Sequence, residues 1–149
     1  MIDEKDIRIL EALVENSKTT TQQISRKLMI PVTTVHNRIK KMERLGVIRG
    51  YSVRVDYKKL GKGILAYVLM KVYYITHDGK KINQEELARE VAKNPAVEDV
   101  HILTGEYDMM VKVRVSSIDE LNKLIIRDLR DMEGIDQSHT MVVLTSIGS

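Results

Sequence analysis

The chain contains no cysteine, no tryptophan and no phenylalanine, and only two prolines in 149 residues. Without cysteine there is no disulfide, no thiolate zinc site and no thiol nucleophile, a usage that fits a reducing intracellular compartment. The six tyrosines are the only aromatics. So few stacking platforms disfavour binding to unpaired strands, and a nucleic-acid partner is expected to be duplex. No apolar run approaches the roughly 20 residues of a membrane span, and the acidic opening MIDEKDIRIL lacks the basic start and apolar centre of a secretory signal. The expectation is a cytoplasmic protein with no membrane partner. His36, His77, His101 and His139 are scattered without helical pairing, so no metal site is expected. No Gly-rich phosphate loop or serine elbow occurs.

What is present is charge of one sign in one place. Lys18 to Arg54 holds nine Lys or Arg and a single acid, Glu43, for a net +8, whereas residues 1–17 sum to −3 and residues 55–149 to −2. A confined positive field of this kind attracts a polyanion.

The same window has an organised pattern. Asp3 opens a helix to about Glu15, with Ile7, Leu10 and Val14 at helical spacing and Glu4 and Asp6 suited to its amino end. Thr20 and Gln23 form a Thr-x-x-Gln capping box for a short second helix carrying Ile24 and Leu28. Pro31 suits the first turn of a third helix, along which Val35, Ile39, Met42 and Leu45 recur, and Gly46 stops it. Two short helices in this order, joined by a tight apolar turn, are a common way to set a helix in a DNA major groove.

Around the third helix, Val32, Val35, Ile39 and Met42 cluster on one side, while Thr33, Asn37, Lys40 and Arg44 centre on the other, flanked by Thr34, His36 and Lys41. Thr33, Thr34, His36 and Asn37 are short groups suited to base edges, Asn pairing well with adenine. Lys40, Lys41 and Arg44 suit phosphate oxygens. Thr21, opening the second helix, joins the candidate DNA-binding set. Arg38 falls about 70° from the core centre, so it fits either a DNA contact or an ion pair with an acid of the first helix. A solvated, Lys-rich helix face is the plain alternative, and the coincidence of charge with helix signals argues against it.

Beyond Gly46 the period falls to 2, with Val47, Tyr51, Val53 and Val55 alternating with Arg49, Ser52, Arg54 and Asp56, which predicts a strand running into a turn at Lys59 to Gly63. The remainder parses as strand Ile64–Ile75, helix Gln84–Lys93, strand Val97–Leu103, strand Met109–Val115, helix Asp119–Arg130 and strand Thr140–Ile147. That order, βαββαβ, predicts two helices on one side of a four-stranded antiparallel sheet, the ferredoxin-like arrangement. The fold class is therefore α+β. The expected domains are a helix-turn-helix over 1–50, a strand and linker over 51–63, and a βαββαβ domain over 64–149.

DEKDIRILEAL, ISRKL, TVHNRIKKMERLGVIRGY and KKLG resemble the opening domain of the leucine-responsive regulator family, Lrp/AsnC or feast/famine regulators. NPAVEDVHILTGEYDMMVKVRV resembles that family's Pro-x-Val, strand, Thr-Gly-x-Tyr-Asp, strand pattern, and HTMVVL its last strand. Two segments depart from it. THDGKKIN, residues 76–83, is a longer connection than the family usually has, and MEGID, residues 132–136, replaces a Pro-Gly-Val type turn.

The resemblance implies a winged-helix-like DNA-binding domain joined to a ligand-sensing domain that dimerises by pairing sheets and often forms octamers. A two-fold dimer then requires paired half-sites about one DNA turn, roughly 34 Å, or a multiple of it apart. The resemblance also places a small molecule, usually an amino acid, beside the Gly-x-Tyr-Asp turn, with no other cofactor. On that reading Asp108 accepts from an α-ammonium, amides around Gly105 and Thr104 hold a carboxylate, and Tyr107, His139 and Thr140 line the site. A hairpin turn with no ligand explains Thr104 to Asp108 equally well. Two alternatives stand beside a metabolite-tuned regulator. One is an effector-independent architectural protein that wraps DNA. The other is a small-molecule module or enzyme using Tyr107, Asp108 and His139, which the +8 window disfavours.

Overall fold

The computed structural model describes residues 1–148, which divide into two compact units, Met1–Val55 and Asp56 onward. The first is three helices, α1 (Glu4–Glu15), α2 (Thr21–Leu28) and α3 (Val32–Arg44). Each start is specified locally. Asp3 and Asp6 make a reciprocal capping box on α1, the Asp6 amide donating to Asp3 Oδ1 and the Asp3 amide to Asp6 Oδ2, both at 3.0 Å. Thr20 and Gln23 do the same for α2. Pro31 is the residue that precedes the first turn of α3. At the far end Gly46 turns left-handed (φ 70°), the Val47 amide reaches back to the Met42 carbonyl at 2.9 Å and the Gly46 amide to Glu43 at 3.0 Å, the double bond of a Schellman stop. Ile9, Ala12 and Leu13 of α1 close on Ile24, Ile30, Val35 and Met42 to form the core.

The second unit is a sheet ordered β2–β3–β1–β4, built from β1 (Ile64–Val72), β2 (Val97–Ile102), β3 (Met109–Val115) and β4 (Ile135–Val142), antiparallel at every pairing. Helices α4 (Gln84–Ala92) and α5 (Ile118–Lys123) follow β1 and β3, capped by the Asn83 and Ser117 side chains. This is the expected βαββαβ order. Alternate residues of β1 (Ala66, Val68, Met70, Val72) and β3 (Met109, Val111, Val113, Val115) are buried together with Leu87, Val91, Leu121, Leu124 and Leu129 of the helices. The intervening residues, among them Tyr67, Leu69, Lys71 and Met110, form the opposite face and stay partly exposed.

Four expectations change. Residues 47–56 form no strand: no described segment pairs with them, and Val53 is 76% exposed. Alternation supplies a face, but a strand also needs a neighbour for its N–H and C=O groups. β1 ends at Val72 rather than Ile75, because its ladder with β4 shifts register between Lys71 and Val72 and the Tyr73 amide turns to the Gly134 carbonyl at 2.7 Å. The chain continues into a small hairpin closed by an Ile75–Lys81 bridge. β4 occupies 135–142 rather than 140–147. Its extent is set by β1, from Val72 opposite Ile135 to Ala66 opposite Val142, and this leaves the apolar Leu144 and Ile147 each 94% exposed. Finally, α5 passes at Leu124 into a π-helical stretch, Leu124–Leu129, whose wider turn directs both Leu124 and Leu129 into the core.

Candidate nucleic-acid interface and effector turn

On α3, Val35 and Met42 are fully buried, while Thr33, His36, Asn37, Lys40 and Arg44 are exposed. Thr34, Arg38, Lys41 and, at the start of α2, Thr21 are partly exposed. The basic side chains divide by partner. Arg38 Nη1 donates to Asp3 Oδ1 at 2.6 Å and to Asp6 Oδ1 at 2.9 Å. Lys41 Nζ lies 2.5 Å from Asp6 Oδ2. Of the two uses open to Arg38, the structure has the ion pair with α1. Lys41, expected on the phosphate-facing flank, is turned to the same carboxylate. Lys27 pairs with Glu15 and Lys40 with Glu43, both at the surface. Lys18, Arg26, Arg44, Arg49 and Arg54 have no acidic partner among the described residues. Lys18, Arg26, Arg49 and Arg54 were legible only as members of the basic window.

Asp6 is the one buried charged residue among those described, at 0% exposure. Burial pushes its carboxyl up, but the bonds from Lys41, the Asp3 amide and Arg38 outweigh that and hold it far below the ordinary carboxylate range. The Arg38 guanidinium and the Asp6 amide likewise lower Asp3. Exposed pairs such as Lys27–Glu15 contribute little, whereas stripping a partner from a buried carboxylate costs about 3–5 kcal/mol.

In the second unit, the turn between β2 and β3 has Gly105 at φ 111°, a left-handed position that suits glycine. Asp108 closes it: its amide donates to Met70 O at 2.9 Å and its carbonyl accepts from Leu103 at 2.8 Å. Its carboxylate Oδ2 accepts the Val72 amide at 2.8 Å, and Tyr74 Oη approaches Oδ1 at 3.3 Å. Asp108 is thus a staple between the turn and the end of β1, with only its Oδ1 side weakly occupied. Tyr107 lies near His139, ring centroids 6.5 Å apart, and Lys71 Nζ stands 5.7 Å from the Tyr107 ring and 3.8 Å from Glu106. Thr104 and Gly105 are exposed beside them. Thr140 is not brought to this group. Pairing sets His139 opposite Leu69 on the open face and Thr140 opposite the buried Val68 on the helix face. Lys71 and Tyr74 went unread in the sequence. Lys71 had a signal, a lone cation in an apolar strand, and Tyr74 had none.

Comparison with known proteins identifies both units. Residues 2–49 match the winged helix-turn-helix DNA-binding model and residues 68–148 the Lrp/AsnC ligand-binding domain model. An uncharacterized HTH-type transcriptional regulator of Pyrococcus furiosus is 39% identical over 147 residues, covering 99% of this chain and 95% of the relative. HTH-type transcriptional regulator FL11 of the same organism is 34% identical over 144 residues, covering 97% and 90%. The crystal structure of a Neisseria meningitidis transcriptional regulator in complex with L-Met superposes with a TM-score of 0.90 at 23% identity, covering 100% of this chain and 94% of that one. Escherichia coli AsnC superposes at 0.80 with 26% identity, covering 98% and 94%. Helix-turn-helix, antiparallel sheet domain and full-length relatives coincide, and this chain belongs to the Lrp/AsnC family of DNA-binding transcriptional regulators, proteins that carry a ligand-binding domain and are not enzymes.

Proposed function

We propose that the protein is a cytoplasmic, sequence-specific regulator that reads duplex DNA with α3, assembles as a dimer and higher oligomer, up to an octamer, through its sheet domain, and is tuned by an amino acid bound at the Thr104–Asp108 turn. The observation that carries the DNA reading is the outward row Thr33, His36 and Asn37 near the start of α3, opposite the buried Val35 and Met42. Short donors and acceptors at a helix start suit base edges, with Thr34 beside them and Thr21, Lys40 and Arg44 toward the backbone.

Self-association is supported by the open sheet face, where Tyr67, Leu69 and Met110 are half-exposed and Met141 is 41% exposed. The strand-like but unpaired residues 47–56 add a second surface lacking a neighbour. For the effector, the support is the exposed Gly105 turn, the weakly occupied Asp108 Oδ1 and the Lys71, Tyr107 and His139 group. The L-Met complex of the Neisseria regulator makes an amino acid the first class to test. A cation at Lys71 suits a carboxylate and Asp108 an ammonium. Thr104 and Gly105 supply turn contacts, and Thr140 is assigned none within the same subunit.

Selection from a random duplex pool tests the first part: a defined pseudo-palindrome is expected. Retained affinity with no preferred sequence would favour an effector-independent DNA-wrapping protein instead. Light scattering with each of the twenty amino acids tests the second, one or a few of them changing the mass. No change with any would end the effector reading.

A further inference from the structure

We propose that Asp6 is a specificity-determining residue for DNA binding, because it withholds Arg38 and Lys41 from the phosphate backbone. Both cations sit on α3, one turn apart, and both reach inward to the Asp6 carboxylate on α1, Arg38 being shared with Asp3 at the start of that helix and Lys41 having Asp6 alone. Their side chains are 22% and 27% exposed, against 63% for Lys40. A phosphate can compete for Lys40 or Lys27, whose acidic partners lie at the surface. It competes poorly for Arg38 and Lys41, since releasing them strands a buried charge.

The chemical consequence concerns discrimination. Sequence-independent affinity grows with the number of phosphates neutralised, whereas base-edge contacts from Thr33 and Asn37 do not depend on that number. Removing two of the nine cations of the basic window therefore lowers binding to arbitrary duplex while leaving base readout in place. Asp6 also fixes where α3 stands, because its own amide and carboxylate are tied into the capping box of α1. The inference rests on α3 being the helix that meets DNA.

Fluorescence anisotropy of the full chain on a random-sequence duplex and on the best duplex selected from a random pool provides the test. Asp6→Asn, with helical content checked by circular dichroism, is expected to steepen the slope of log affinity against log salt by about 0.9 on random duplex, because it frees Lys41 while Asp3 still holds Arg38. Between about 50 and about 200 mM salt that is roughly a three- to fourfold greater loss of affinity. The ratio of selected to random affinity falls. A residue with a purely structural role would weaken both duplexes and steepen neither, and that result overturns the proposal. Should Asp6→Asn fail to fold, Lys41→Gln serves. It is expected to leave the random-duplex slope unchanged, while Arg44→Gln makes it shallower by about 0.9. Equal losses from Lys41→Gln and Arg44→Gln overturn the inference alone. If Asn37→Ala and Arg44→Gln are both silent, the assignment of α3 falls and the inference with it.

Discussion

The Val72 amide donates to the Asp108 carboxylate at 2.8 Å, so the residue closing the turn before β3 also terminates β1. The proposed effector site gives the same side chain a second role, and two substitutions separate the structural role from the proposed one. Asp108→Asn keeps an acceptor for Val72 and is expected to leave thermal stability within about 1 kcal/mol, while abolishing amino-acid binding seen by calorimetry. Asp108→Ala leaves the part-buried amide unpaired and should cost about 1–3 kcal/mol. Undiminished ligand binding in Asp108→Asn would remove Asp108 from the effector site.

Acid should loosen the helical unit first. The folded-state carboxyl of Asp6 lies below its ordinary value of 3.8, so its contribution to stability is complete above that pH and is lost as pH falls toward the folded value. Asp3 is shifted the same way. From about pH 5 to about pH 2 the wild type should lose stability that Asp6→Asn does not. Parallel denaturant titrations of the two proteins would show it. Identical pH dependence in both would contradict the assignment.

Met29, between α2 and α3, holds φ 56° and ψ 43° and is 89% exposed. A side chain in that left-handed region is strained, and here it buries nothing in compensation. Met29→Gly is expected to raise stability by up to about 1 kcal/mol, with the melting temperature as readout. A lower melting temperature would mean that Met29 makes a stabilising contact.

The helical unit was legible because its signals are local: the Thr20–Gln23 capping box, the Gly46 stop and the 3.6 spacing lie within a few residues of the helices they set, whereas of the Asp3–Asp6 box only acids suited to a helix start were read. The βαββαβ order was legible for the same reason. The extents of β1 and β4 were not, since each is fixed by its partner across the sheet. The apolar run Met141–Leu144 attracted the strand assignment, although β1 begins at Ile64 and offers little beyond Val142. Residues 47–56 carry strand alternation without a partner to pair with. In the interface, helical geometry separated the outward Thr33, Asn37 and Arg44 from the core, and raised an acid of the first helix as a partner for Arg38. It did not divert Lys41, because only the packing of α1 on α3 brings Asp6 to that ammonium. Period-2 spacing would have separated His139 from Thr140, had the two not been read together as one group.

Gly134 adopts φ 107°, and a Cβ there would meet Ile82 Cγ2 at 3.1 Å and Leu87 Cδ2 at 3.3 Å. Gly134→Ala should therefore cost more than about 1 kcal/mol through strain and contact together. Adding Ile82→Ala should recover only the contact part, a non-additivity that a double-mutant cycle by chemical denaturation would measure. Full additivity would refute the contact.

The long connection 76–83 and the replaced turn 132–136 are distant in sequence yet meet in the fold: Ile82 packs toward Gly134, Lys80 pairs with Glu133 at 3.4 Å, and the Tyr73 amide bonds the Gly134 carbonyl. A side chain at position 134 would crowd Ile82, so the packing of the hairpin and the bareness of the turn depend on one another. A change in the shape of either segment therefore alters the space left to the other.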